Sequence, residues 1–81
     1  MSTNKDYLVI SQNLEKEIQE AGLVISEIGF TNFHILEITL PDKQTYEDVL
    51  SYLKMECPTE VSCLYGMKKD YKVVLQFDRL D

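Results

Sequence analysis

One histidine, His34, and two cysteines, Cys57 and Cys63, are the side chains of this 81-residue chain best suited to proton or nucleophile chemistry. A His34 set across a hairpin from Glu27 or Gly29 could act as a tuned general base. No nucleophile, metal partner or glycine-rich loop stands near it in sequence, so a structural histidine is the favoured reading. The cysteines are spaced C-x5-C, which matches no zinc or redox motif. Cys57 falls at the end of a helical stretch, where the dipole disfavours a thiolate, and Cys63 alternates with Val61 and Tyr65 on what reads as a core stripe. Both are expected to be small buried hydrophobes. The carboxylates, among them Glu20, Glu37, Glu56 and Glu60, are dispersed, and no D-x-D-x-D calcium loop occurs. Phosphate-loop, dinucleotide, serine-hydrolase and zinc-protease signatures are absent. The chain is expected to be no enzyme and to need no cofactor or metal.

Bulk composition narrows the partners. Eight basic residues against fourteen acidic ones give a net charge of −6. That excludes a basic grip on nucleic acid or on an anionic membrane and is compatible with a partner protein whose own surface is basic. Hydrophobic residues make up 44% and charged residues 27%, ordinary globular usage for one domain over residues 1–81. The longest apolar runs, Leu8–Ile10 and Leu23–Ile25, are far below the roughly 20 residues of a membrane span. No leader or lipidation signal opens the chain, and a cytoplasmic protein with reduced thiols is expected.

The elements that must carry these side chains are legible from periodicity. Tyr7, Ile10, Leu14, Ile18 and Ala21 recur at helical spacing over about Asn4–Ala21. Gly22 and Leu23 then stand where a Schellman stop needs them. Tyr7–Ile10 is also a β-favouring run, which leaves an opening strand as the alternative. Leu23–Leu40 reads as a hairpin turning near Thr31-Asn32. A second helix is expected over Tyr46–Cys57, with Thr45 as N-cap and Glu47 and Asp48 in its first turn. Two strands follow, joined by a loop over Gly66–Asp70. The fold class is α+β, a four-stranded antiparallel sheet with two helices on one face in the order α-β-β-α-β-β. This is a permuted ferredoxin-like order; the alternative is β-α-β-β-α-β-β.

A loop centred on Thr31-Asn32 places Leu23, Ile25, Leu36, Ile38 and Leu40 on the helix-covered face. Ile28, Phe30, Phe33 and Ile35 then form an apolar patch on the open face, which marks an interaction site. Tyr52 falls off the apolar stripe of the second helix and is a candidate interface anchor. Glu15, Glu17, Glu47 and Asp48 are the acids placed to steer a basic partner.

In format the chain is similar to small acidic inhibitors, such as phage anti-CRISPR and other anti-defence proteins or toxin-immunity proteins. The expected function is therefore a non-enzymatic protein that occupies a surface of a larger partner, one that itself handles nucleic acid. The alternative is a small ferredoxin-like regulatory or ligand-sensing module acting as a homodimer.

Overall fold

Ile10, Leu14 and Ile18 line one side of a single helix, α1 (Asn4–Glu20), in a computed structural model that describes residues 4–32, 34–56 and 61–77, the side chains of 4–7 excepted. Leu14 and Ile18 are buried and Ile10 packs against them. An extended Tyr7–Ile10 would take Ile10 off that stripe, and the backbone is helical throughout; no opening strand forms. The helix ends as its sequence indicates. Gly22 adopts φ +86°, its N–H donates to the Gln19 carbonyl at 3.0 Å, and the Leu23 N–H donates to the Ile18 carbonyl at 3.3 Å. These are the two bonds of the Schellman motif, and the left-handed turn is one that glycine adopts at least cost.

Five further elements follow: β1 (Glu27–Asn32), β2 (Ile35–Thr39), α2 (Lys43–Met55), β3 (Val61–Met67) and β4 (Lys72–Phe77). The strands form one antiparallel sheet in the order β1-β2-β4-β3. Leu14 and Ile18 of α1 share one core cluster with Tyr46, Val49 and Leu53 of α2, and with Leu36, Ile38, Val73, Leu75 and Phe77 of the two central strands. Alternate residues of a strand face opposite sides, so both helices cover the same side of the sheet. The α+β class and the element order are as the sequence indicates.

α2 begins three residues earlier than its apolar stripe suggests. Asp42, not Thr45, is the N-cap: its carboxylate accepts the Thr45 N–H at 2.8 Å. An aspartate before a first turn that has no acid of its own competes well for the orphan amides. Glu47 and Asp48 therefore sit in the second turn, beyond the reach of the dipole.

The faces of both hairpins differ from expectation, for one physical reason. In β1–β2, Ile28 lies opposite Ile38, Phe30 opposite Leu36 and Gly29 opposite Glu37, and the register shifts between Phe30 and Asn32. Thr31 is thus an extra residue in β1, a bulge that resets which side each residue faces. Ile28 and Phe30, expected on the open face, instead join Leu36 and Ile38 beneath the helices; the Phe30 ring lies 5.7 Å from that of Phe77. Phe33 lies outside the described residues. In β3–β4 the register shifts between Val61 and Cys63. Val61 stays on the core side, but Leu64 and Gly66 now join it while Cys63, Tyr65 and Met67 turn outward. Cys63 is exposed rather than buried, and Tyr65 is 46% exposed rather than core; Cys57 lies outside the described residues.

Gly66 belongs to β3 rather than to the loop. It lets α2 approach the sheet: a Cβ there would meet the Tyr46 hydroxyl, with Tyr46 Cζ at 2.9 Å and Leu50 Cδ2 at 3.0 Å. The loop is the tight turn Lys68–Tyr71, in which the Asp70 N–H donates to the Met67 carbonyl at 3.0 Å. It closes through Tyr71 at φ +53°, a left-handed position that costs a non-glycine residue roughly 1 kcal/mol. The Tyr71 ring, 6.2 Å from that of Tyr46, offsets that cost by packing.

Candidate functional site

The open face of the sheet holds the most distinctive surface among the described residues. Reading the registers across the four strands, Glu27 and Gly29 of β1, Ile35, Glu37 and Thr39 of β2, Lys72, Val74 and Gln76 of β4, and Cys63, Tyr65 and Met67 of β3 share this side. Val74 lies at its centre, directly between Glu37 and Tyr65, and is only 1% exposed although it stands outside the helix-side core. Beside it stand the exposed Tyr65 and Met67, and Ile35 is half-buried on the same side. The result is an apolar band from β2 to β3 that includes one aromatic and one methionine, side-chain types that interface centres favour.

Charge is sparse on this side. Lys72 against Glu27 and Glu37 amounts to −1 of the chain's −6. Lys72 Nζ and Glu37 Oε1 are 3.3 Å apart, the one ion pair among the described residues. The bulk of the acid lies elsewhere. Glu17, Glu47 and Asp48 are exposed on the two helices and Glu15 is half-buried there, with Asp48 accepting from Gln44 Nε2 at 2.9 Å. Glu15, Glu17, Glu47 and Asp48 are thus on the helices, whereas the apolar band is on the strands.

Of the apolar residues picked out in sequence that lie among the described residues, Ile35 alone is placed on this open face. Ile28 and Phe30 are turned into the helix side, and Tyr52 is half-buried and packed against the core rather than free on the helix surface. Tyr65, Met67 and Val74 were missed. The turn length would have found them: a Lys68–Tyr71 turn sets Met67 opposite Lys72, and counting back sets Tyr65 opposite Val74, away from Val73 and Leu75.

A shallow depression of about 180 Å³ lies over Gly29, bordered by Glu27, Thr31, Glu37, Thr39 and Lys72. It is smaller than the roughly 300–1,000 Å³ of ordinary ligand pockets. His34 is not opposite Glu27 or Gly29; it occupies the β1–β2 turn, where its N–H donates to Asn32 Oδ1 at 3.2 Å and its carbonyl accepts the Phe77 N–H at 2.7 Å. Among the described residues no three His, Cys, Asp or Glu side chains are grouped as for a metal, and no helix is long and apolar enough to cross a membrane. Asp42 has its carboxyl held below the ordinary value of 3.8, first because its charged form accepts the Thr45 backbone N–H. That serves the helix cap. No family model, no curated protein and no solved structure matches this chain.

Proposed function

We infer that this is a non-enzymatic protein-binding domain that docks through the open face of its sheet onto a larger partner and blocks the surface it covers. The observation that carries this reading is the apolar band of Tyr65, Met67, Ile35 and Val74 on a side that neither helix covers. An exposed aromatic beside a shielded apolar centre and within a polar rim is the arrangement of an interface anchor. The strand order β1-β2-β4-β3 also supports reading the fold as a ferredoxin-like unit whose first strand has moved to the C-terminal side. A fold of that type does not by itself specify a function.

The acids act at longer range in this reading. Glu17 and Glu47 are exposed on the helices, where they raise the encounter rate with a basic partner without entering the contact. Partner capture from the native cell, run side by side with wild type and a Tyr65→Ser/Met67→Ser variant, tests the reading. The expected result is one binding protein retained by wild type and lost by the variant, with an anchor contribution of about 2 kcal/mol or more in affinity. A Glu17→Lys/Glu47→Lys variant should retain that protein but associate several-fold more slowly at low salt, the difference fading as salt rises. A partner held equally well by the face variant would refute the docking face.

A further inference from the structure

β3 is an edge strand without the usual protections. Edges are normally blunted by charges, prolines, bulges or short length. β3 runs for seven residues with neither a charge nor a proline, and its bulge lies at the Val61 end, clear of the rest of the strand. The opposite edge, β1, carries Glu27 and is interrupted between Phe30 and Asn32.

The ladder shows which groups on β3 are unused. The Phe77 N–H donates to the His34 carbonyl and the Leu40 N–H to the Tyr71 carbonyl. Backbone direction alternates along a strand, so Val73, Leu75 and Phe77 turn their peptide groups toward β2. Lys72, Val74 and Gln76 turn theirs toward β3, where they face Met67, Tyr65 and Cys63. The N–H and C=O groups of Leu64 and Gly66 consequently point outward, and among the described residues no strand lies beyond them.

We propose that this edge pairs antiparallel with β3 of a second copy across a two-fold axis at Tyr65, joining two four-stranded sheets into one. Three observations select a second copy. A two-fold at Tyr65 bonds Leu64 to Gly66 of the copy and Gly66 to Leu64 of the copy, so the same outward groups satisfy each other. The strand has no charge, so laying it against itself brings no like charges together, while the acidic surplus stays on the rest of the molecule. Tyr65, 46% exposed, would lie opposite Tyr65 of the copy, and Met67, 37% exposed, opposite the exposed Cys63. Aromatic and apolar cross-strand pairs of this kind stabilise sheets. The pairing is made by the backbone edge, but it also sets Tyr65 and Met67 of the docking face beside side chains of the copy, so self-association is tested on the chain alone and separately from partner capture.

Sedimentation equilibrium on the purified full chain, without any partner, should give twice the 9.4 kDa of one chain. In the same protein the amides of Leu64 and Gly66 should be protected from hydrogen exchange by about tenfold or more relative to free dilute monomer. In a Cys57→Ser/Cys63→Ser background, Tyr65→Cys should form a covalent dimer on mild oxidation, since facing residues in such a pair have Cα atoms about 4.5 Å apart. Cys63 alone, which faces Met67 of the copy, should cross-link far more slowly. A chain that stays monomeric up to roughly 1 mM with both amides exchanging freely would overturn the proposal. So would protected amides at monomer mass, which would mean that the chain covers its own edge. A dimer in which the Tyr65→Cys variant does not cross-link would place the interface elsewhere and overturn it too.

Discussion

Phe30→Ala separates the two possible faces of the first hairpin more sharply than any other single change. The Phe30 ring is half-buried on the helix side, 5.7 Å from the ring of the fully buried Phe77 and tilted 47° to it. Removing a fully buried phenylalanine costs about 3–5 kcal/mol, so a half-buried one costs roughly 2 kcal/mol, including a share for the ring pair. At about 0.05–0.15 kcal/mol per residue, a domain of this length has roughly 4–12 kcal/mol in total. The variant should therefore lose a large fraction of its stability and melt about 8–16 °C lower. Ile35→Ala, on the open face, is the control and should cost about 1 kcal/mol or less, because it removes area that no helix covers. Parallel urea titrations of both variants, with unchanged slopes, are the assay. If Ile35→Ala proved the more damaging and Phe30→Ala shifted the midpoint hardly at all, the bulge at Thr31 would be refuted and the open-face patch of Ile28 and Phe30 restored.

Asp42→Asn keeps the cap but removes its titration. Because the folded carboxyl is held below its ordinary value of 3.8 by the Thr45 N–H, its contribution is complete above that value and is lost as pH falls through the lower folded one. Wild type should thus lose α2 stability below about pH 4, and the Asn variant should show a flatter acid limb in circular dichroism. Gly66→Ala should cost about 1–3 kcal/mol by pressing on Tyr46 and Leu50. Adding Tyr46→Phe, which removes the hydroxyl, should recover part of that loss; no recovery in thermal melts would mean that the Tyr46 hydroxyl is not what crowds Gly66. Lys72→Ala should change stability by less than about 0.5 kcal/mol, since a partly exposed pair is worth little; a larger loss in chemical denaturation would assign the pair a structural role.

The helices were largely readable because their signals are local. The Ile10–Leu14–Ile18 stripe and the Gly22 stop each lie within a turn or two of chain, and both appear as the sequence indicates. The strands were readable as strands, but not their faces. Side-chain direction in a strand has period two, so one extra residue inverts everything beyond it. Thr31 and Ser62 are such residues, and neither advertises itself: threonine and serine are ordinary in strands and carry no mark of a bulge. Val61-Ser62-Cys63-Leu64-Tyr65 is apolar enough on both sides to accept either assignment. β4 was the exception, because Lys72 and Gln76 against Val73, Leu75 and Phe77 admit only one inside. The candidate site suffered accordingly. Ile35 was placed correctly, whereas Tyr65 and Met67 were hidden by the inversion at Ser62.

The strand order has a consequence for how the molecule comes into being. β4, the last of the four strands to be synthesised, lies between β2 and β3. Until it emerges, the β1–β2 hairpin and β3 have no common neighbour, and the two helices have only half a floor to settle on. Synthesis at about 5–20 residues per second leaves such a nascent chain waiting for seconds with its apolar strand faces uncovered. Every pairing that joins the β1–β2 hairpin to β3 runs through β4. The β1–β2 hairpin and β3 therefore become one sheet only once β4 is in place between them.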